Sequence, residues 1–287
     1  MSARNVRTIE VPIEWFDPLV LSDIPTVVQV NTEAAISELV VTLDRYRPGY
    51  AVIFIDIQGV SHSGHETISI MQIYDAAEHV VYLMDVSTLG ERCFITPAPA
   101  RHKRTLKDIL ENTDVKKAFF DVRNDSKALY TQYGIVLEGV HDIQLMELAT
   151  RSLCRGYVSG LATCIARNDT IPAEDVLRWI NMGGGQFSAD FNSAFEDFKQ
   201  RPFSNGTRRH CPQKFKLLVR LYDHYSSELT PEWKARMVSA TKDRVRQSQS
   251  AGVDDHEIDM GRAPDGWHEI EDCPGESANF YPGRVGR

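Results

Sequence analysis

Five positions in this chain carry side chains whose type and spacing could do chemistry. The run YAVIFIDIQG (Tyr50 to Gly59) is almost continuously apolar and β-branched until it ends in Asp56-Ile57-Gln58-Gly59. Side chains alternate along a strand, so Asp56 and Gln58 leave the same face of the sheet together. In FFDVRNDSKALY a second strand runs into a helix that presents Asp125 and Leu129, spaced i and i+4, on one face. Taken alone, Asp125 is equally an acid suited to a helix's first turn, favoured there by the backbone dipole. In RRHCPQKFKLLVRLYDHY (Arg208 to Tyr225), His210 and Lys214 stand one helical turn apart. Carboxylates that converge from strand ends and a helix are what hard divalent cations require.

The elements that must position these residues follow from periodicity. YAVIFIDIQG, TISIMQIY and HVVYLMDV are three apolar segments separated by short polar turns, which predicts a meander. TLKDILEN has helical spacing, VKKAFF reads as a strand, and NDSKALYTQYG starts on Asn or Asp and stops on Gly. DIQLMELATRS, GLATCIARN and EDVLRWIN read as helices, and TEAAISELVVTLDRYR as an amphipathic helix ahead of the strands. The Gly- and Asn-rich GGGQFSADFNSAFEDFKQRPFSNG predicts a long excursion, after which the basic stretch opens a C-terminal helical pair. The expectation is an α/β domain with a mixed sheet flanked by helices over 31–245, an N-terminal extension over 1–30, and a disordered acidic tail over 246–287.

Length and composition suit one domain with tails: 287 residues, of which 42% are hydrophobic and 25% charged. Five scattered cysteines without a C-x-x-C pair predict neither a disulfide framework nor a zinc site, and favour a reducing compartment, cytoplasmic or nuclear. No stretch nears the ~20 apolar residues of a membrane span, so no membrane partner is expected. The net charge of −8 is concentrated, because 251–287 carry nine acidic and three basic residues. Lys199 to Arg220 instead holds seven Lys or Arg and no acid, a basic run that is either a solvated helix face or a phosphate-contacting patch.

Together these motifs resemble the ribonuclease D-like branch of the DEDD 3′-5′ exonucleases, which have the ribonuclease H-like fold. The likeness runs from about Tyr50 to Tyr225, through DIQG, SIMQIY, FFDVRNDSKALYTQYGIVLEGVHDIQLMELATRS, GLATCI and RPFSNGTRRHCPQKFKLLVRLYDHY. RVRQSQS and RAPDGW are also similar to tail segments of fungal members. The resemblance implies catalysis by two divalent metals, Mg²⁺ or Mn²⁺, held about 3.5–4 Å apart by four acids that activate a water and stabilise the leaving 3′ oxygen. Asp56 falls on the first acid and Asp125 on the third. Gln58 falls where the family has Glu, His210 where it has Tyr, and Lys214 where it has the fourth Asp. The quartet's formal charge is then −1 rather than −4, too little to compensate two divalent ions.

Two expectations result. Lys214 places its ammonium near Asp56 in place of a metal, so that the fold persists while phosphodiester hydrolysis is lost and no metal cofactor is needed. A single strand of RNA or DNA is then held by phosphate contacts from Arg208, Arg209, Lys214 and Lys216, as in relatives regarded as RNA-binding adaptors with incomplete acidic sites. A still active metal-dependent 3′-5′ exonuclease and a protein-interaction scaffold are the alternatives, the latter drawing on the acidic segments DDHEID and WHEIED.

Overall fold

A computed structural model describes residues 25–46, 52–62, 65–99, 103–152, 154–181, 201–203, 205–250 and 260–267, without the side chains of 60–62, 65–66 and 205–210. Its centre is a six-stranded mixed sheet in the order β1-β4-β3-β2-β5-β6. The expected meander is β2 (Ile53–His62), β3 (His65–Asp75) and β4 (Val80–Asp85), paired antiparallel. To one side β5 (Lys117–Phe119) and β6 (Val140–Asp142) run parallel to β2. On the other edge β1 (Thr26–Val30) pairs parallel with β4, which corrects the expected extension over 1–30 by bringing its last five residues into the sheet.

The two faces of the sheet bury two separate cores. Ile53 and Ile55 on β2, with Met71 and Ile73 on β3, face α1 (Glu33–Leu43) and the short helices α2 (Val86–Leu89), α3 (Arg92–Ile95) and α4 (Leu106–Leu110). α5 (Arg123–Tyr133) gives Leu129 to this layer. Phe54, Ile70 and Tyr74 face the other way, toward α6 (Ile143–Thr150), α7 (Leu161–Arg167) and α8 (Ala173–Trp179). The same core takes Phe215, Leu218 and Leu221 from α9 (Asn205–Glu228) and Met237 from α10 (Pro231–Ser248).

Local chemistry sets the element ends. The Thr32 hydroxyl caps α1 by accepting the Ala35 N–H, Thr105 and Asp108 form a reciprocal capping box on α4, and Gly134 closes α5 in the left-handed region at φ 60°. Lys117 is fully buried on β5 and donates to the Ile109 and Asn112 carbonyls at 3.1 and 2.7 Å, satisfying the end of α4; burial pushes its pKa down to about 7.

The C-terminal region departs from the expected disorder over 246–287. α10 continues to Ser248, and Met260–Trp267 returns to the domain: the Val158 N–H donates to the Gly261 carbonyl at 2.9 Å and the Ala263 N–H to the Gly156 carbonyl at 3.0 Å. Trp267 is buried and its ring meets Trp233 edge-on at 5.2 Å, a hydrophobic anchor that acidic composition hides. The parts of the tail at 251–259 and 268–287, and most of the predicted excursion (183–200), lie outside the described residues. Among the described residues no helix is long and apolar enough to cross a membrane.

Candidate nucleic-acid cleft

Asp56 has the parity of Phe54, so the alternation that buries Phe54 under α9 also turns Asp56 and Gln58 toward that helix. α9 is pinned over the sheet by aromatic contacts. Phe215 stacks on Tyr74 at 5.7 Å, Tyr222 meets Phe54 edge-on at 5.5 Å, and the Tyr222 hydroxyl bonds His141 Nδ1 at 2.8 Å. Lys214, one residue before Phe215, is thereby carried over β2.

There its Nζ donates to Asp56 Oδ1 at 2.6 Å, with the two side chains only 12% and 14% exposed. The other oxygen of Asp56 is occupied as well, because Oδ2 accepts from Gln58 Nε2 at 2.7 Å and from Gln72 Nε2 at 3.1 Å. Gln72 sits on β3 directly opposite Asp56 in the strand register. Its buried Oε1 has no hydrogen-bond partner. Sequence reasoning had not singled out Gln72, although the hairpin register alone selects it.

Asp125 reaches the same cleft from the first turn of α5. Burial, and next the Asp56 charge, push its pKa well above the ordinary carboxylate range against the opposing pull of Lys214. The turn that delivers Asp125 is built on Asp142. That buried carboxylate accepts the N–H groups of Asp121, Val122 and Gln144 at 2.9, 3.3 and 3.1 Å, and Arg244 Nη1 from α10 at 2.6 Å. Asp121 holds a left-handed φ of 60° and receives a bidentate Arg123, both contacts at 2.6 Å. Neither Asp121 nor Asp142 is thus a spare ligand. Cys211, on the inner face of α9, is buried and its thiol pKa is pushed far up, which leaves it an inert packing group.

The expected basic patch divides. Lys216 donates to buried Asp175 at 3.2 Å, where Arg220 and Arg178 converge at 3.7 and 3.5 Å. Arg201 forms a bidentate pair with Asp85 at 2.6 and 2.7 Å. Every basic side chain of the run that is described, Lys214 included, is thus committed to an acid. Arg208, Arg209 and His210 lie in the first turns of α9, with side chains outside the described residues, as is Lys199.

Two structures solved for other proteins share this arrangement of sheet and helices. Ribonuclease D of Trypanosoma brucei in complex with RNA superimposes with a TM-score of 0.63, 19% identity, and coverage of 85% of this chain and 78% of that one. Escherichia coli ribonuclease D gives 0.53 at 12% identity, covering 77% and 50%. The fold is that of ribonuclease D. Residues 62–160 also match the family described as 3′-5′ exonuclease. The zebrafish (Danio rerio) piRNA biogenesis protein EXD1 is 35% identical over 97 residues, 34% of this chain and 23% of that protein, so the chain spans under a quarter of that curated relative.

The family match starts after Asp56 and Gln58 and ends before His210 and Lys214, so of these five positions only Asp125 lies inside it. Against the two divalent ions that the sequence resemblance implies stand the contacts that Asp56 makes within the protein. Asp56 already receives an ammonium on one oxygen and two amide N–H groups on the other. Among the described residues no three acidic, His or Cys side chains gather into a metal cage. A cation fixed at Asp56 would also repel a divalent ion, at a separation where Coulomb terms dominate.

Proposed function

We propose that this ribonuclease D-like domain holds single-stranded nucleic acid in its cleft and does not hydrolyse it through metal ions. The observation that carries the reading is the Lys214–Asp56 contact at 2.6 Å, which puts a covalently attached positive charge on the cleft's best-placed carboxylate. Gln58 adds a neutral amide that bonds Asp56 through its nitrogen, offering the site no further anion. The RNA bound to the Trypanosoma brucei neighbour supports a strand as the occupant. With Lys214 and Lys216 engaged, phosphate contact falls mainly to Arg208 and Arg209 on the opening turns of α9. The ion pairing of the described basic side chains favours, as a second reading, a protein-binding scaffold.

One experiment separates these. A 3′-labelled single strand, RNA and DNA in turn, is incubated with the full chain and Mn²⁺, and its binding is followed by anisotropy across a salt series. The label stays on an uncut strand, and affinity falls with salt with a log–log slope of about −1.4 to −2.1, as two or three phosphate contacts dictate. Shortening that Asp56→Ala abolishes would overturn the loss of hydrolysis. Absence of any salt-dependent affinity would remove the nucleic acid and leave the scaffold.

A further inference from the structure

A groove lies away from the cleft, at the end of the sheet where β5 and β6 begin. Lys117 and Val140 sit side by side there, level with Ile53, whereas Asp56 is three residues further along β2, about 10 Å on. The groove encloses a cavity of about 270 Å³ between α10 and the segment that leads into β6. Liquid water takes about 30 Å³ a molecule, so there is room for a ligand of about ten non-hydrogen atoms. Val136, Val140, Val238 and Val245 give the cavity an apolar floor. One backbone donor is spare there. The Gly139 carbonyl accepts the Lys117 N–H at 3.0 Å, and the alternation of a parallel ladder then turns the Val140 N–H away from β5, at the edge of the sheet, where no acceptor meets it among the described residues.

Lys116, Lys242 and Arg246 stand around the floor against one acid, Glu138, an excess of two positive charges. Lys242 is exposed and has no ion pair among the described residues. Lys116 donates to the Thr113 carbonyl at 2.7 Å, and Arg246 meets Asp243 at 3.1 Å with both side chains more than half exposed, a weak pair that exchanges readily. His141 adds no charge at neutral pH, since burial and the nearby Lys116 and Lys234 hold its pKa down to about 4.

We propose that this groove binds a small phosphate monoester, its phosphate among Lys116, Lys242 and Arg246 and its organic part on the valine floor. Charge selects the head group. At pH 7 a phosphate monoester carries about −1.5 to −2, which answers the excess on the rim, whereas a carboxylate carries a single charge and leaves part of it unmet. Its oxygens accept from two ammonium groups, a guanidinium and the spare Val140 N–H, and the charged donors make the stronger bonds. The floor selects against the bare ion, because covering valine surface with an apolar body adds binding that inorganic phosphate cannot supply. About ten atoms in an open groove support a Kd on the order of 0.1–1 mM. The inference holds whatever the cleft binds.

Titration of the full chain with phenyl phosphate, followed by amide NMR, tests it. Saturable shifts should appear at Val136 to His141 and at Val238 to Arg246. Inorganic phosphate lacks the ring and benzoate the second charge, and each should bind about tenfold more weakly. Lys242→Glu combined with Arg246→Glu, both at exposed positions, should weaken phenyl phosphate by at least about tenfold while the melting temperature stays that of the natural chain. Inorganic phosphate bound as tightly as phenyl phosphate would reduce the groove to a general attraction for anions and overturn the proposal. So would shifts that spare these residues, or an affinity that survives the double variant.

Discussion

Separating Lys214 from Asp56 should cost far more than breaking an ordinary surface ion pair. The contact is 2.6 Å long and both side chains are nearly nine-tenths buried. An exposed pair contributes roughly 0.2–1 kcal/mol, whereas removing one partner of a buried pair costs about 3–5 kcal/mol by stranding the other charge. Asp56 would not be wholly stranded in Lys214→Met, since the Gln58 and Gln72 amides still donate to Oδ2. That moves the expected loss to about 2–3 kcal/mol. For a domain of this size it corresponds to a fall in Tm of roughly 5–10 °C. The measurement is a double-mutant cycle of Lys214→Met, Asp56→Asn and the pair, by urea unfolding at pH 7, and the coupling energy should reach about 1.5–3 kcal/mol. A coupling below about 0.5 kcal/mol would place the two groups in surface-like solvent and refute the claim that the lysine occupies the carboxylate.

Two further outcomes follow from the same geometry. Gln58→Glu combined with Lys214→Asp replaces the cation and the amide by acids; without metal the variant should be less stable than the natural chain, and Mn²⁺ at about a hundredfold its Kd should return about 2.7 kcal/mol. Thermal melts then show a metal-dependent rise for the variant and none for the natural chain, and a rise for the natural chain would count against the ion pair. His141 sets a pH window, because its pKa falls from 6.5 in the open chain to about 4 in the fold. Between these values the unfolded state holds the extra proton, so the neutral imidazole's contribution is complete above 6.5 and is lost as pH drops toward 4. Relative to His141→Asn, the natural chain should lose on the order of 3 kcal/mol across that window, measured by denaturant titration at each pH.

What could be read in advance divides along physical lines. The meander was legible because β2, β3 and β4 alternate between two cores, a period-two signal that needs no partner to be recognised. β1 and β6 were not, since five and three residues carry too little pattern and owe their conformation to parallel neighbours far along the chain. The basic run shows a related blindness. Its charge is plain in composition, but the acids that answer it, Asp85 for Arg201 and Asp175 for Lys216, lie 116 and 41 residues away. The pairing of Asp142 with Arg244 across 102 residues was hidden for the same reason.

Lys214 was singled out through the family resemblance, and the apolar frame of α9 explains physically where the helix carries it. Cys211, Phe215, Leu218 and Tyr222 recur at i, i+4, i+7 and i+11, and all pack against the sheet core. Fixing Phe215 on Tyr74 leaves the preceding residue one direction, about 100° round the helix. On β2 the burial of Phe54 leaves Asp56 one face. Two independent core packings therefore aim the lysine and the carboxylate at each other, and a cation at that position of the helix meets the acid whether or not a metal was ever there.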